Sequence, residues 1–170
     1  MIDRLNWQLA FLQQARADWE AYQKTHETFW PACHRLHFLQ MATEKLGKAL
    51  LLAGQAEFER VTGSHAAFVK FMQVASCDRS LQIRLKMTKA QLKAHFRQLL
   101  PIAYEIEILA PALAQHGPNP EYPWFDRTGK ICVPVVYSFP QTKLLQSPYG
   151  LKLLKHIEDC MAEFEKIFLS

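Results

Sequence analysis

Between Leu92 and Leu113 apolar residues recur at alternating steps of four and three: Leu92, Phe96, Leu99, Ala103, Ile106, Ala110 and Leu113. A helix brings that series onto one face, so the segment must lie against other apolar elements along its length. Thr88 and Gln91 stand three apart just ahead of it, the letters of a capping box, and they mark where the helix starts. Pro101 lies off the stripe. It removes one backbone donor and crowds the preceding turn, which predicts a kink near residues 97–101 and not two separate helices.

Similar stripes run through the rest of the chain. Leu5, Leu9, Leu12, Ala15, Trp19 and Tyr22 follow an Asp3 cap, and Phe38, Met41, Ala42, Ala49, Leu52 and Ala53 lie between Pro31 and Gly54. After a loop over residues 55–63, Ser64 is the expected N-cap of a short helix reaching about Val74, with Phe68, Phe71 and Met72 buried. Ser147-Pro148 opens a last helix carrying Leu151, Leu154, Ile157, Met161, Phe164 and Phe168. Residues 115–140 are different: proline, aromatic and β-branched residues predict turns and short extended pieces. Trp124-Phe125 and Ile131-Cys132-Val133 are placed to pair as a hairpin across Asp126 to Lys130. The expectation is an all-α, antiparallel up-and-down bundle of four longer helices plus one short helix, with a Pro/aromatic-rich extended insert at about 115–140.

At 170 residues and 49% apolar content the chain supplies one core, so residues 1–170 are read as a single domain. Cys33, Cys77, Cys132 and Cys160 show no Cys-x-x-Cys spacing and no basic, apolar leader precedes Asp3-Arg4, which predicts free thiols in a reduced cytoplasmic protein. No apolar run nears the roughly 20 residues of a membrane span.

Charge is unevenly distributed. From Arg60 to Leu100 eight basic residues face a single acid, Asp78, so this stretch carries +7 of a chain whose net charge is +4. Lys89, Lys93 and Arg97 follow at four-residue steps and build a basic ridge suited to RNA, nucleotide phosphates or an acidic partner. Glu44, Lys45 and Lys48 form a second charged group, readable as a ligand-facing patch or as a helical surface pair of Glu44 with Lys48. Cys33 and His37, four apart, share a helical face and are the candidate metal ligands, although the sequence identifies no third or fourth. Tyr122, Trp124, Phe125, Tyr137 and Phe139 either stack bases or anchor the insert to the core. Thr128-Gly129-Lys130 lacks the upstream glycine and the following hydroxyl of a phosphate loop, and no cofactor is expected.

Gln40, Ala42, Glu44, Lys45, Lys48, Ala49, Leu50 and Leu51, followed after a loop by Ser64, His65 and Phe68, reproduce an order of residues that resembles the HEPN family of helical domains. The resemblance implies a cytoplasmic helical protein, often a homodimer, linked to RNA cleavage, to defence or toxin-antitoxin systems, or to a nucleotidyltransferase-type partner. Ribonuclease members use an arginine, four to six intervening residues and a histidine near the start of a late helix. Arg60 and His65 have that spacing but stand at the loop before an early helix, and the late helix around Arg97 offers no histidine. The resemblance therefore implies an accessory module associated with nucleic acid or nucleotides. The alternatives are a metal-independent ribonuclease using Arg60 and His65, and a protein-binding scaffold using the aromatic insert.

Overall fold

The computed structural model describes residues 3–27, 29–54, 57–114 and 117–169. Positions 55 and 56 of the loop before Ser64, and positions 115 and 116 of the insert, lie outside that set. In chain order the elements are α1 (Arg4–Lys24), α2 (Ala32–Leu51), α3 (Phe58–Thr62), α4 (Phe68–Ala75), α5 (Arg79–Arg84) and α6 (Lys89–Glu107). Strands β1 (Trp124–Phe125) and β2 (Ile131–Cys132), a 3-10 turn at Pro134–Val136, and helices α7 (Pro140–Leu145), α8 (Pro148–Ala162) and α9 (Phe164–Phe168) follow. The fold is an all-α bundle whose four longer helices are α1, α2, α6 and α8.

Helix α2 is its axis. Every residue from Leu46 to Leu52 is buried, and the helix packs against α1, α4 and α6. At Gly47 a Cβ would sit 2.5 Å from the carbonyl oxygen of Ala67, so backbone meets backbone where α2 crosses the start of α4. Gly150 plays the same part between the first turn of α8 and the end of α7. Local caps set four of the helix starts: Asp3 accepts from Asn6 N, Asp78 accepts from Leu81 N, Thr88 and Gln91 form the reciprocal box, and Ser147 accepts from Gly150 N.

Several elements depart from expectation. The helix expected to begin at Ser64 begins at Phe68; the Ser64 hydroxyl instead accepts from Ala66 N in a local turn. Short helices α3, α5, α7 and α9 fill segments whose apolar runs are too short to show a period. Helix α6 continues through Pro101 but stops at Glu107, before Ala110 and Leu113. Pro111 accounts for that stop, because its ring disfavours helical geometry at Ala110 and crowds the carbonyl of Glu107. In α8 the buried face is Leu153, His156, Ile157, Cys160 and Met161, whereas Leu151 is exposed. Apolar residues at 151, 153 and 154 permit two overlapping stripes. The backbone at Glu163 (φ −123°, ψ 21°) then leaves helical geometry and resets the phase, so α9 buries Phe164 and Ile167. Leu5 and Leu9, assigned to the first stripe, are exposed, and burial in α1 is continuous from Leu12, Ala15 and Trp19 to Tyr22.

Candidate functional site

Glu44 and Lys48 do pair across one turn of α2, with Lys48 Nζ 2.8 Å from Glu44 Oε1, but the pair is buried rather than on a surface. Lys48 Nζ also donates to the carbonyl of Thr62 at 2.9 Å, where α3 ends, and lies 5.6 Å from the centre of the Phe11 ring. Gln40 Nε2 donates to Glu44 Oε2 at 2.9 Å, and His65 Nδ1 lies 3.3 Å from the same oxygen. Burial opposes ionisation of Glu44. The hydrogen bonds from Lys48 and Gln40 and the nearby positive charges outweigh it and hold the carboxyl below its ordinary range. The group works as a clasp tying the segment that holds α3 and His65 onto α2. Within it, the half-exposed His65 is the side chain that reaches the surface. Lys45 belongs elsewhere, paired at 2.5 Å with Asp18 of α1.

Beside the clasp lies Glu107, a residue without any distinguishing sequence signal. Its carboxylate accepts from Val69 N at 2.9 Å and so caps α4 from the far end of α6. Burial pushes the Glu107 carboxyl up; the amides of Val69 and Phe68 oppose that shift and the Glu44 charge adds to it.

Arg60 and His65 do not converge on one pocket. His65 turns to Glu44, whereas Arg60 lines a depression of about 290 Å³ together with Glu57, Ser64 and Lys70, and His65 is not part of its wall. Lys70, which nothing in the sequence linked to Arg60, is the cation the fold places with it. Of the candidate metal ligands, Cys33 is buried in the core with its thiol pushed up by burial, and His37 Nδ1 lies 2.8 Å from the Glu121 carboxylate. Among the described residues no group of three His, Cys, Asp or Glu side chains is arranged to hold a metal ion.

Lys89, Lys93 and Arg97 lie along one flank of α6, about 6 Å apart per step. All three are exposed and none pairs with an acidic side chain among the described residues. Arg84, by contrast, is committed to Glu163. Glu107 falls about five turns after Lys89, hence at nearly the same angle, and its bond to Val69 shows that this flank borders α4.

The insert divides its aromatic residues between two environments. Trp124 and Phe139 are buried, each edge-on to Tyr137 and tilted against one another, which anchors the segment to the core. The hairpin forms with Trp124 opposite Cys132 and Phe125 opposite Ile131, closed by Asp126, whose carboxylate accepts from Thr128 N and Lys130 N, and by Gly129 at φ 81°. Its other face is open: Tyr122, Phe125, Ile131 and Val133 are exposed, and Val136 beyond it is 82% exposed. Among the described residues no helix is long and apolar enough to cross a membrane. Compared with known proteins, the chain significantly matches no family model, no curated protein and no solved structure.

Proposed function

We propose that this chain is an accessory module that binds nucleic acid through the flank of α6, without a catalytic centre of its own. The observation that carries the reading is the row Lys89, Lys93 and Arg97, three exposed cations one turn apart with no acidic partner among the described residues. Cations left unpaired on a rigid helix attract phosphates without first breaking an internal ion pair. The HEPN-like order of residues agrees with a ligand of this class, and with a homodimer serving a defence or toxin-antitoxin system beside a nucleotidyltransferase-type partner. The clasp around Glu44 has a structural part in this reading, because its charges satisfy one another inside the bundle.

Fluorescence anisotropy with labelled single-stranded RNA across a salt series tests it. Three phosphate contacts predict that log K falls with log salt at a slope of roughly −2. The triple variant Lys89→Gln, Lys93→Gln, Arg97→Gln is expected to lose most of the affinity and nearly all of the slope. Absence of binding at low salt, or a triple variant that binds like the parent, overturns the proposal.

A second reading rests on the open face of the hairpin. Phe125 and Ile131 are cross-strand neighbours that both point to solvent, a placement suited to a protein partner or a second copy. Replacing both by lysine should leave the far-ultraviolet circular dichroism unchanged and abolish self-association in sedimentation; unchanged association of the double variant would count against it.

A further inference from the structure

A cavity of about 110 Å³ lies where α1, α2, α7 and α8 meet. Leu36, Leu145 and Leu154 supply apolar walls, and Tyr22 in the last turn of α1 and His26 in the turn just beyond it stand edge to face at 4.9 Å between ring centres. Arg35 is the one residue of fixed charge in the lining. It is half-buried, and it makes no ion pair or hydrogen bond through its side chain to any described residue. The Tyr22 hydroxyl also lacks a hydrogen-bond partner among the described residues.

Elsewhere on this molecule half-buried cations are committed. Lys45 has Asp18, and Arg16 has Glu165 and the Met161 carbonyl. An arginine without a partner, set against leucines and a free phenol, is therefore a specific vacancy in the pairing of charges. Burial and the charge of Arg35 both lower the His26 pKa, which leaves His26 neutral near pH 7 and Arg35 as the cation facing the cavity. Size limits the occupant. At about 110 Å³ the cavity is smaller than the roughly 150 Å³ apolar cavity that holds a benzene ring, but it opens to solvent beside half-buried Arg35 and exposed His26, so a single ring or a short branched chain enters with its polar end at the mouth. The number of cations limits it further: one guanidinium matches a planar carboxylate through two parallel bonds, whereas a phosphate dianion calls for a second positive group that the lining lacks.

We propose that this cavity binds a small aromatic or branched-aliphatic monocarboxylate. The apolar body lies among Leu36, Leu145 and Leu154, and the carboxylate accepts from Arg35, with the Tyr22 hydroxyl as a further donor. The site is independent of the nucleic-acid flank on α6, so either can fail without the other.

The test uses benzoate and 3-methylbutanoate as probes, with benzyl alcohol as the uncharged control, titrated into the full chain labelled at leucine methyls. Saturable shifts confined to Leu36, Leu145, Leu151 and Leu154, the leucines that line the cavity, are expected with both acids. Benzyl alcohol should bind more weakly by about ten- to a hundredfold, the factor for losing a charge-assisted bond, and Arg35→Met should weaken benzoate by the same factor. Leu154→Trp, which fills the space, should abolish binding. Should that variant not fold, Arg35→Met at its half-exposed position and the alcohol control decide the matter in its place. No saturable shift with either acid at millimolar concentration overturns the proposal. So does benzyl alcohol binding as well as benzoate, or benzoate affinity unchanged in Arg35→Met.

Discussion

Glu44 holds Lys48, Gln40 and His65 at once in a place that water barely reaches. Removing its carboxylate strands the Lys48 ammonium inside the bundle, so Glu44→Ala should lower stability by about 3–5 kcal/mol in urea denaturation. The carboxyl titrates below its ordinary value of 4.5 in the folded chain. The stability it contributes is complete above 4.5 and is lost as pH falls through the depressed folded value. His156 behaves as the buried base of the molecule. Packed against Phe96, with rings 4.8 Å apart, it is lowered from 6.5 to about 4 by burial and by the His95 charge, against the pull of Asp159. The unfolded imidazole binds a proton near 6.5 while the folded one stays neutral, so this contribution is full above 6.5 and falls away toward 4. Between about pH 7 and pH 5 the loss is about 2 kcal/mol, and His156→Gln should flatten the stability profile over that interval.

Gly47 shows how closely α2 and α4 approach. Alanine is the better helix former by up to about 1 kcal/mol, yet its methyl would meet the Ala67 carbonyl, and Gly47→Ala should be net destabilising by about 1–3 kcal/mol. The starts of α1, α6 and α8 were legible in the sequence because Asp3, Thr88-Gln91 and Ser147-Pro148 act on their own backbone within three residues. The hairpin was legible for the same reason, since Asp126 and Gly129 build its turn locally. The start of α4 was not, because its cap comes from another helix and Ser64 offered a local decoy. Which face of α8 is buried was also hidden, as adjacent apolar residues fit two stripes and only the neighbouring helices choose between them. Of the candidate site, the exposed row on α6 followed directly from four-residue spacing opposite the buried stripe of Leu92, Phe96 and Leu99. That Lys48 would be internal did not, since a Glu-to-Lys step reads the same on a surface and in a core. Cys33 and His37 share a helix, but packing draws one inward and gives the other to Glu121.

Across the bundle, charge is segregated: the basic stretch from Arg60 to Leu100 presents unpaired cations on α6, while acids such as Asp18, Glu163 and Glu165 are used to fasten helices together. High salt should therefore strip a polyanion from the protein while changing its melting temperature little, because the Glu44–Lys48 and Asp18–Lys45 pairs are largely buried and poorly screened, and the more exposed Arg16–Glu165 pair contributes little to stability. Thermal melts and anisotropy recorded over one salt series check both halves of that expectation. The bond from Glu107 to Val69 also orders events in time. It joins residues 38 apart, so α4 cannot acquire its cap until α6 has been made and docked. The start of α4 should then loosen before the centre of α2 when this bond is removed. In Glu107→Ala, which removes the acceptor, amide exchange at Val69 should speed up well before that of Leu46 or Ala49, marking this stretch as the seam along which the bundle opens.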